Sequence, residues 1–271
     1  MSRRSLGAVA AVGATWLAVA CLDISSPVTG ITAITSVLLP TPSVVVGDSL
    51  RDTLGKAQQL IVHAYGPNGE QLPDADITVR YFAIDSTLGL HVDSTTGYAF
   101  GDSLSALAKV VARVTPTNGK GVIQTLQVPL PVVPKPVGAT KADGLIDFPF
   151  DPTTLDTLGA GVLSPTLDVK VVGNGDTPIQ SYIVSYRIDR SPASKDTSPS
   201  VAILDRTGND STIAVTSSSG VASRQIRIRL SAIADPLRID TVVVRVRVHY
   251  LDGLLTVSPS DSFKLVLRPK F

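Results

Sequence analysis

The chain is poor in several residue types. Its 271 residues include one cysteine, one tryptophan and one methionine, and of its 23 acidic residues only Glu70 is a glutamate. A single cysteine excludes an intramolecular disulfide, so no covalent crosslink supports the fold. Glutamate favours helices, whereas aspartate favours turns and caps. Because β-branched residues are abundant, the composition predicts an all-β protein.

A dominant charge of one sign is also lacking. The 24 basic and 23 acidic residues leave a formal charge of +1, which becomes −1 if Arg3 and Arg4 are removed with an N-terminal signal. Proteins that bind nucleic acid or membrane surfaces through general basic charge have a large positive excess. We therefore expect no nucleic-acid partner.

The first 21 residues have the features of a secretory signal. Arg3 and Arg4 precede an uncharged run of 14 residues, 7–20, in which small residues lead up to Cys21. The run is shorter than the roughly 20 residues that cross a bilayer, so it predicts a cleaved signal. Leu17–Cys21 resembles the lipobox of bacterial lipoproteins. The resemblance implies that residues 1–20 are removed and that Cys21 is acylated and anchors the chain in a membrane.

Two details of this segment leave alternatives open. The cysteine could be incidental in an ordinary signal peptide, and Ser2–Leu6 partly resembles a twin-arginine export signal. Leu22 after the cysteine resembles an outer-membrane sorting signal of the enterobacterial type. We expect a lipid-anchored location in the cell envelope, at the outer membrane, facing either the periplasm or the cell surface.

Proline and turn residues divide the rest of the chain. Residues 21–30 predict a short tether, 31–133 a first β-sandwich, 134–142 a Pro-rich linker and 143–271 a second β-sandwich. Short strands separated by turn signals such as Asn68-Gly69 favour this arrangement. Pro129, Pro131, Pro134 and Pro136 oppose sheet pairing and favour an extended connection.

An internal repeat supports the division into two modules. Residues 60–85 and residues 167–189 both contain a strand, a turn rich in glycine and asparagine, and a second strand. Further along, residues 95–99 parallel residues 218–222. The repeat favours two copies of a β-module over one large barrel.

Three segments of the first module resemble bacterial immunoglobulin-like domains of the invasin and intimin type: Val44–Ser49, Asn68–Pro73 and Ile77–Val79. The resemblance covers most of residues 31–133 and is looser for residues 143–271. It implies two tandem immunoglobulin-like β-sandwich domains. Such motifs carry the fold, and they transfer no catalytic residue.

Two tyrosines gain an expected role from this resemblance. Tyr81 and Tyr186 are expected in the core position that a tryptophan holds in antibody domains. A sandwich that is not immunoglobulin-like is the structural alternative.

The sequence Gly47-Asp48-Ser49-Leu50 resembles the nucleophile block of GDSL esterases and lipases. In those enzymes a histidine, with an aspartate three residues before it, activates the serine. The residues three before His63, His91 and His249 are Leu60, Leu88 and Val246. The same four letters recur at 101–104, so we interpret the block as a turn between strands.

Metal ligands are sparse as well. The three histidines have no metal-binding spacing, and no second cysteine is present. Asp74 and Asp76 could offer oxygens to Ca²⁺, but two carboxylates are too few for a site. We expect no metal and no cofactor.

The strand at Val242–His249 alternates valine with charged residues. In an immunoglobulin-like sheet, the strands at 182–188 and 262–267 would flank it and add their own cations to the outer face. This predicts a basic face made of Arg187, Arg245, Arg247, Lys264 and Arg268. Such a face could meet an anionic glycan, lipopolysaccharide or an acidic protein. The alternative is a solubilising surface whose charge Asp189, Asp240 and Asp252 balance.

These observations favour a non-enzymatic, lipid-anchored envelope protein that acts as a binding, adhesion or scaffold module for an unidentified protein or glycan. One alternative is an accessory subunit of an envelope complex, with an unpaired strand edge offered to a partner. A GDSL-type esterase is the third reading.

Overall fold

The computed structural model describes residues 31, 33–117, 122–142, 145–151, 161–195, 197, 199–251 and 253–270. Strands and short 3-10 turns make up the regular structure of this part of the chain, which contains no α-helix. The prediction of an all-β protein is therefore confirmed. Within the same ranges, no helix is long and apolar enough to cross a membrane.

The strands up to residue 133 form small sheets around one core. They are β1 (Ala33–Leu38), β2 (Val44–Val45), β3 (Ile61–Tyr65), β4 (Ile77–Ala83), β5 (Leu90–Val92), β6 (Ala99–Gly101), β7 (Lys109–Pro116), β8 (Gln124–Pro129) and β9 (Val132–Val133). Strand β1 pairs with β3, β5 pairs with β6, and β4, β7 and β8 make an antiparallel sheet. Strand β2 runs parallel to β9.

Alternation along the strands explains how these sheets share a core. In β7, Val110, Ala112 and Val114 are buried, whereas Lys109 before them and Arg113 among them are exposed. Burying a valine or leucine side chain fully is worth roughly 1.5–3 kcal/mol. Several leucines with no exposed surface complete this N-terminal cluster, namely Leu50, Leu60, Leu90 and Leu130.

The strands after residue 137 form two larger sheets. They are β10 (Gly138–Lys141), β11 (Leu145–Phe150), β12 (Val162–Leu163), β13 (Leu167–Val172), β14 (Ile183–Arg190), β15 (Val201–Leu204), β16 (Ile213–Val215), β17 (Val221–Ile228), β18 (Asp240–Arg247), β19 (His249–Tyr250), β20 (Gly253–Leu254), β21 (Val257–Ser258) and β22 (Ser262–Pro269). One sheet has the order β12-β17-β13-β10-β21, with β15 also on β17. The other has the order β11-β22-β18-β14-β16, and β19 pairs with β20 apart from both sheets.

These two sheets face each other across a shared C-terminal cluster. Val169 and Ile226 come from the first sheet, Val244 and Leu265 come from the second, and all four have no exposed surface. The hydroxyl of Tyr186, on β14, donates to the carbonyl of Ala222, on β17, at 2.9 Å. A hydrogen bond from one sheet to the backbone of the other fixes their separation, so this region is a β-sandwich.

The internal repeat has a structural counterpart. The Tyr81 hydroxyl donates to the carbonyl of Leu60 at 3.1 Å, and the Tyr186 hydroxyl donates to the carbonyl of Leu167 at 3.1 Å. Leu60 and Leu167 begin the two repeats. Each tyrosine therefore connects its strand to the first residue of its own repeat unit.

The segment predicted as a linker, 134–142, includes a strand. Residues 138–141 form β10, which pairs antiparallel with β13 and parallel with β21. The reason is local: the prolines end at Pro136, so the residues after it have backbone N–H groups that can join a sheet. The parts of this segment outside regular structure are 134–137 and Ala142.

The two regions also touch. Val45 and Val133 pack into the C-terminal cluster, and the Ser43 hydroxyl donates to the carbonyl of Ser181 at 2.6 Å. Because residues before 134 contribute to the core after it, the division into two separate domains stays a prediction.

Candidate functional site

The predicted anchor lies outside the described residues. Arg3, Arg4 and Cys21 all belong to residues 1–30, which the structure does not describe. Acylation of Cys21 and membrane attachment through it stay predictions.

The Gly-Asp-Ser-Leu block lies in a turn beside β6. Leu50 is fully buried, and its backbone N–H donates to the carbonyl of Ala99 at 2.8 Å. The Asp48 carboxylate accepts two bonds from the Arg51 guanidinium, at 2.8 and 3.0 Å, and one from the backbone N–H of Ser49 at 2.7 Å. Asp48 is thus committed to holding the turn, as expected for a connection between strands.

The fold nevertheless brings a histidine to this turn, which sequence spacing did not indicate. A cleft between the two regions is lined by Ser49 and Asp52 on one side and by Tyr182 and His249 on the other. Ser49 and His249 are 200 positions apart in the chain, so only the contact between the regions could reveal their proximity. Within the described residues, no hydrogen bond joins Ser49 to a histidine.

The size and bonding of this cleft argue against a substrate. Its volume is about 50 Å³, against roughly 300–1,000 Å³ for typical small-molecule pockets. The Tyr182 hydroxyl donates to the carbonyl of His249 at 2.6 Å. Burial raises the pKa of Tyr182 far above its ordinary value, and Tyr250 and Asp48 add to the effect. The cleft therefore has room for water and acts as a polar contact between the regions.

His249 carries a shifted pKa at this contact. Burial lowers the pKa of the imidazole below its ordinary value, Arg247 lowers it further, and Asp52 opposes both effects. A lowered pKa keeps the ring neutral near pH 7. The neutral ring suits a half-buried position beside the Tyr182 bond.

The strands that carry the predicted basic face lie side by side in one sheet. Strands β14, β18 and β22 are neighbours, as the sequence predicted, with β18 in the middle. Arg187 stands opposite Arg245 in the register, and Val243 stands opposite Lys264. Val244 and Val246, which alternate with Arg245 and Arg247 along β18, face the core.

Carboxylates neutralise much of this face. Asp189 lies 2.6 Å from Arg187 Nη2 and 2.7 Å from Arg245 Nε, so one carboxylate bridges two arginines that stand opposite each other. Asp147 pairs with Arg268 at 2.9 Å. Without these partners, like charges on adjacent strands would repel.

Two cations of the face keep no counter-ion among the described residues. They are Arg247 and Lys264. Asp240 pairs with Arg190 at 3.6 Å instead, and Asp252 lies outside the described residues. The face is therefore one of mixed charge, and its binding of an anionic partner stays a prediction.

The remaining candidates are local structures. Asp74 and Asp76 lie in a 3-10 turn, and His63 contacts the Gln71 amide at 2.6 Å. His91 lies 3.9 Å from the Asp102 carboxylate on an exposed surface. Within the described part of the chain, no group of three or more His, Cys, Asp or Glu side chains is arranged to hold a metal ion.

Comparison with known proteins finds similarity to solved structures only, at low identity and low TM-score. No family model and no curated protein matches it. Domains 4 and 5 of the S-layer protein SbsC share 9% identity and a TM-score of 0.29, covering 84% of this chain and 92% of that one. Chicken VE-cadherin EC1-2 shares 11% identity and a TM-score of 0.26, covering 77% and 91%. Mouse Cadherin-23 EC22-24 shares 11% identity and a TM-score of 0.26, covering 84% and 62%.

Proposed function

We propose that this chain is a lipid-anchored envelope protein whose β-sandwich region acts as a non-enzymatic binding or scaffold module. The observation that carries the proposal is the segment ending at Cys21, which joins a secretory pattern to a lipobox-like motif. An acylated cysteine fixes one end of the chain at a membrane. The strands beyond it then present loops and sheet faces away from the lipid.

The architecture supports presentation rather than chemistry. The serine that resembles an esterase nucleophile lies in a turn whose aspartate is bonded to Arg51. The cleft beside it has a volume of about 50 Å³, which is too small for an ester substrate of ordinary size. The exposed sheet faces carry paired charges, which suit a surface held in water.

The proposal is tested first at the anchor. The wild-type chain, expressed with its N-terminal segment in a bacterium that processes lipoproteins, is expected in the membrane fraction and extractable by detergent. Cys21→Ser removes the acylation site, so this variant should move to the soluble envelope fraction. Mass spectrometry of the wild-type N-terminus should show an acylated cysteine at position 21.

A serine-to-alanine change elsewhere gives the matched control. Ser26→Ala lies five positions after the cysteine and leaves the motif intact, so it should stay with the membrane. If Cys21→Ser also stays there, the anchor is not this cysteine and the proposal is wrong. Loss of measurable ester hydrolysis on Ser49→Ala would overturn the non-enzymatic part separately.

A further inference from the structure

A groove at one edge of the C-terminal sandwich has unusual charge. It has a volume of about 300 Å³ and lies between the β15–β16 loop and the start of β17. This volume reaches the range of small-ligand pockets, roughly 300–1,000 Å³. The residues that matter are Asp205, Arg206, Val215, Ser217, Ser223 and Arg224. None of them belongs to the basic face predicted from the sequence.

Arg224 is a half-buried cation whose side-chain hydrogen bonds all go to neutral acceptors. Its guanidinium donates to the carbonyl of Ser211 at 3.1 Å, the carbonyl of Ser223 at 2.9 Å and the Ser211 hydroxyl at 3.2 Å. No carboxylate of the described residues forms an ion pair with it. A guanidinium has five N–H donors, so two remain beyond these three bonds.

Burial of this kind disfavours a charged side chain. It lowers the pKa of the Arg224 guanidinium, and the neighbouring Arg206 lowers it further, while Tyr186 and Asp205 oppose the shift. An anion placed between Arg206 and Arg224 would compensate both charges in a partly dehydrated position, where charge-assisted hydrogen bonds are strong.

The carboxylate in the groove is already occupied. Asp205 Oδ1 accepts from the Thr207 N–H at 2.8 Å, the Thr207 hydroxyl at 2.7 Å and the Asn209 N–H at 3.0 Å. It holds the loop that carries Arg206. Arg206 is exposed and forms no ion pair with a described residue, so its guanidinium is available to a ligand.

The rest of the lining indicates what carries the anion. Ser223 offers a hydroxyl group, the Ser217 hydroxyl shares a 2.8 Å hydrogen bond with that of Ser219, and Val215, which is 48% exposed, offers an apolar surface beside them. Sugar rings combine hydroxyl groups with an apolar C–H face. We propose that this groove binds a carboxylated glycan, with the uronate carboxylate between Arg206 and Arg224.

This inference rests on the proposed function, because it gives the binding module a ligand class. Its test uses the full chain in a neutral detergent and an oligogalacturonate of about six sugars as the probe, titrated by calorimetry at low salt. We expect saturable binding of the oligogalacturonate and none of a neutral dextran oligomer of the same length. Arg206→Gln should weaken binding about tenfold, the effect of losing one charge-assisted contact.

A variant with the same loss of charge outside the groove distinguishes specific binding in the groove from nonspecific electrostatic attraction. Arg238→Gln removes an exposed arginine that does not line the groove, and it should leave the affinity unchanged. Arg206→Lys keeps the charge but loses the two-pronged geometry of the guanidinium, so its affinity should lie between those of the wild type and Arg206→Gln. Thermal melting should show all three variants folded.

Several results would overturn the inference. They are no binding by the wild type, equal weakening by Arg206→Gln and Arg238→Gln, or tighter binding of an aspartate-rich peptide than of the oligogalacturonate. None of these changes the membrane fractionation of Cys21→Ser. Failure of the groove and failure of the anchored-module proposal are therefore distinguishable.

Discussion

Tyr81 and Tyr186 make the same kind of hydrogen bond in the two regions but differ in how deeply they are buried. Tyr81 is 7% exposed and bonds one carbonyl, whereas Tyr186 is 2% exposed and bonds two. Burial raises the pKa of both phenols, as expected where the neutral hydroxyl is the hydrogen-bond donor. We therefore expect the C-terminal sandwich to lose more stability than the N-terminal region when the hydroxyl of its tyrosine is removed.

The glycines at matching places in the repeat extend this comparison. Gly97 and Gly220 both have positive φ, +75° and +76°. A Cβ on Gly97 would lie 2.8 Å from the Tyr81 ring, whereas a Cβ on Gly220 would lie 2.8 Å from the carbonyl oxygen of Val171. One repeat packs its turn on a side chain, and the other packs it on backbone. Glycine can thus be required at equivalent positions of the two repeats for different steric reasons.

Replacing these glycines should have the largest effect. Gly220→Ala combines positive-φ strain with a clash against backbone that cannot rotate away, so we expect a loss of about 3 kcal/mol in the free energy of unfolding. Gly97→Ala should cost less, about 2 kcal/mol, because the Tyr81 ring can shift. Urea denaturation followed by circular dichroism measures both.

A third glycine isolates the strain from the clash. Gly69 has a φ of +79°, and a Cβ there would meet nothing within 4 Å. Gly69→Ala should therefore cost only about 1 kcal/mol. Equal losses for all three variants would show that packing against Val171 and Tyr81 contributes nothing.

Removing the tyrosine hydroxyls should have the next largest effect. Tyr186→Phe removes one O–H that is shared between two carbonyls, those of Leu167 and Ala222, so it leaves two buried acceptors without this donor and should cost about 2 kcal/mol. Tyr81→Phe leaves only the carbonyl of Leu60 without its donor and should cost about 1 kcal/mol. If the regions are separate domains, urea denaturation of the wild type shows two transitions, and each substitution shifts only one. A single transition that both variants shift would contradict the division into two domains.

The smallest effect should come from the contact between the regions. The pKa of His249 is lower in the folded chain than in the unfolded chain, mainly because of burial. At a pH between these two pKa values, the unfolded chain binds a proton at His249 and the folded chain does not. Stability contributed by the neutral ring should therefore fall as the pH drops from about 7 to 5. Differential scanning calorimetry should show a smaller drop for His249→Gln than for the wild type.

The control substitution is at a histidine outside the contact. His91 is exposed and does not line the cleft, so His91→Gln should leave the contact between the regions intact. An unchanged pH profile in His249→Gln would mean that the contact does not depend on the neutral ring.

Alternation and turn residues predicted much of the fold. The order β14-β18-β22 followed from the valine alternation at 242–248 together with the expected sheet, and the immunoglobulin-like resemblance placed Tyr81 and Tyr186 in the core. Short strands were harder to predict. Residues 138–141 followed four prolines and resembled a linker, because their pairing depends on distant partners in β13 and β21.

Sites built from distant parts of the chain were the least predictable. The cleft lined by Ser49 and His249 depends on contact between the two regions, which has no local sequence signal. The groove at Arg206 and Arg224 depends on β17, which pairs with β15 over one part of its length and with β13 over the other. Arg224 resembles any solvent-exposed strand cation until its neutral partners are known.

The parallel pairs have a mechanical consequence. Strand β2 runs parallel to β9, β10 runs parallel to β21, and β11 runs parallel to β22. A force that pulls the two strands of such a pair toward opposite ends of the chain acts along both strands, so it loads all of their hydrogen bonds at once. An antiparallel hairpin pulled from its open end would lose its bonds one at a time. A chain held at Cys21 and pulled from its far end would meet this shear resistance at each of these pairs.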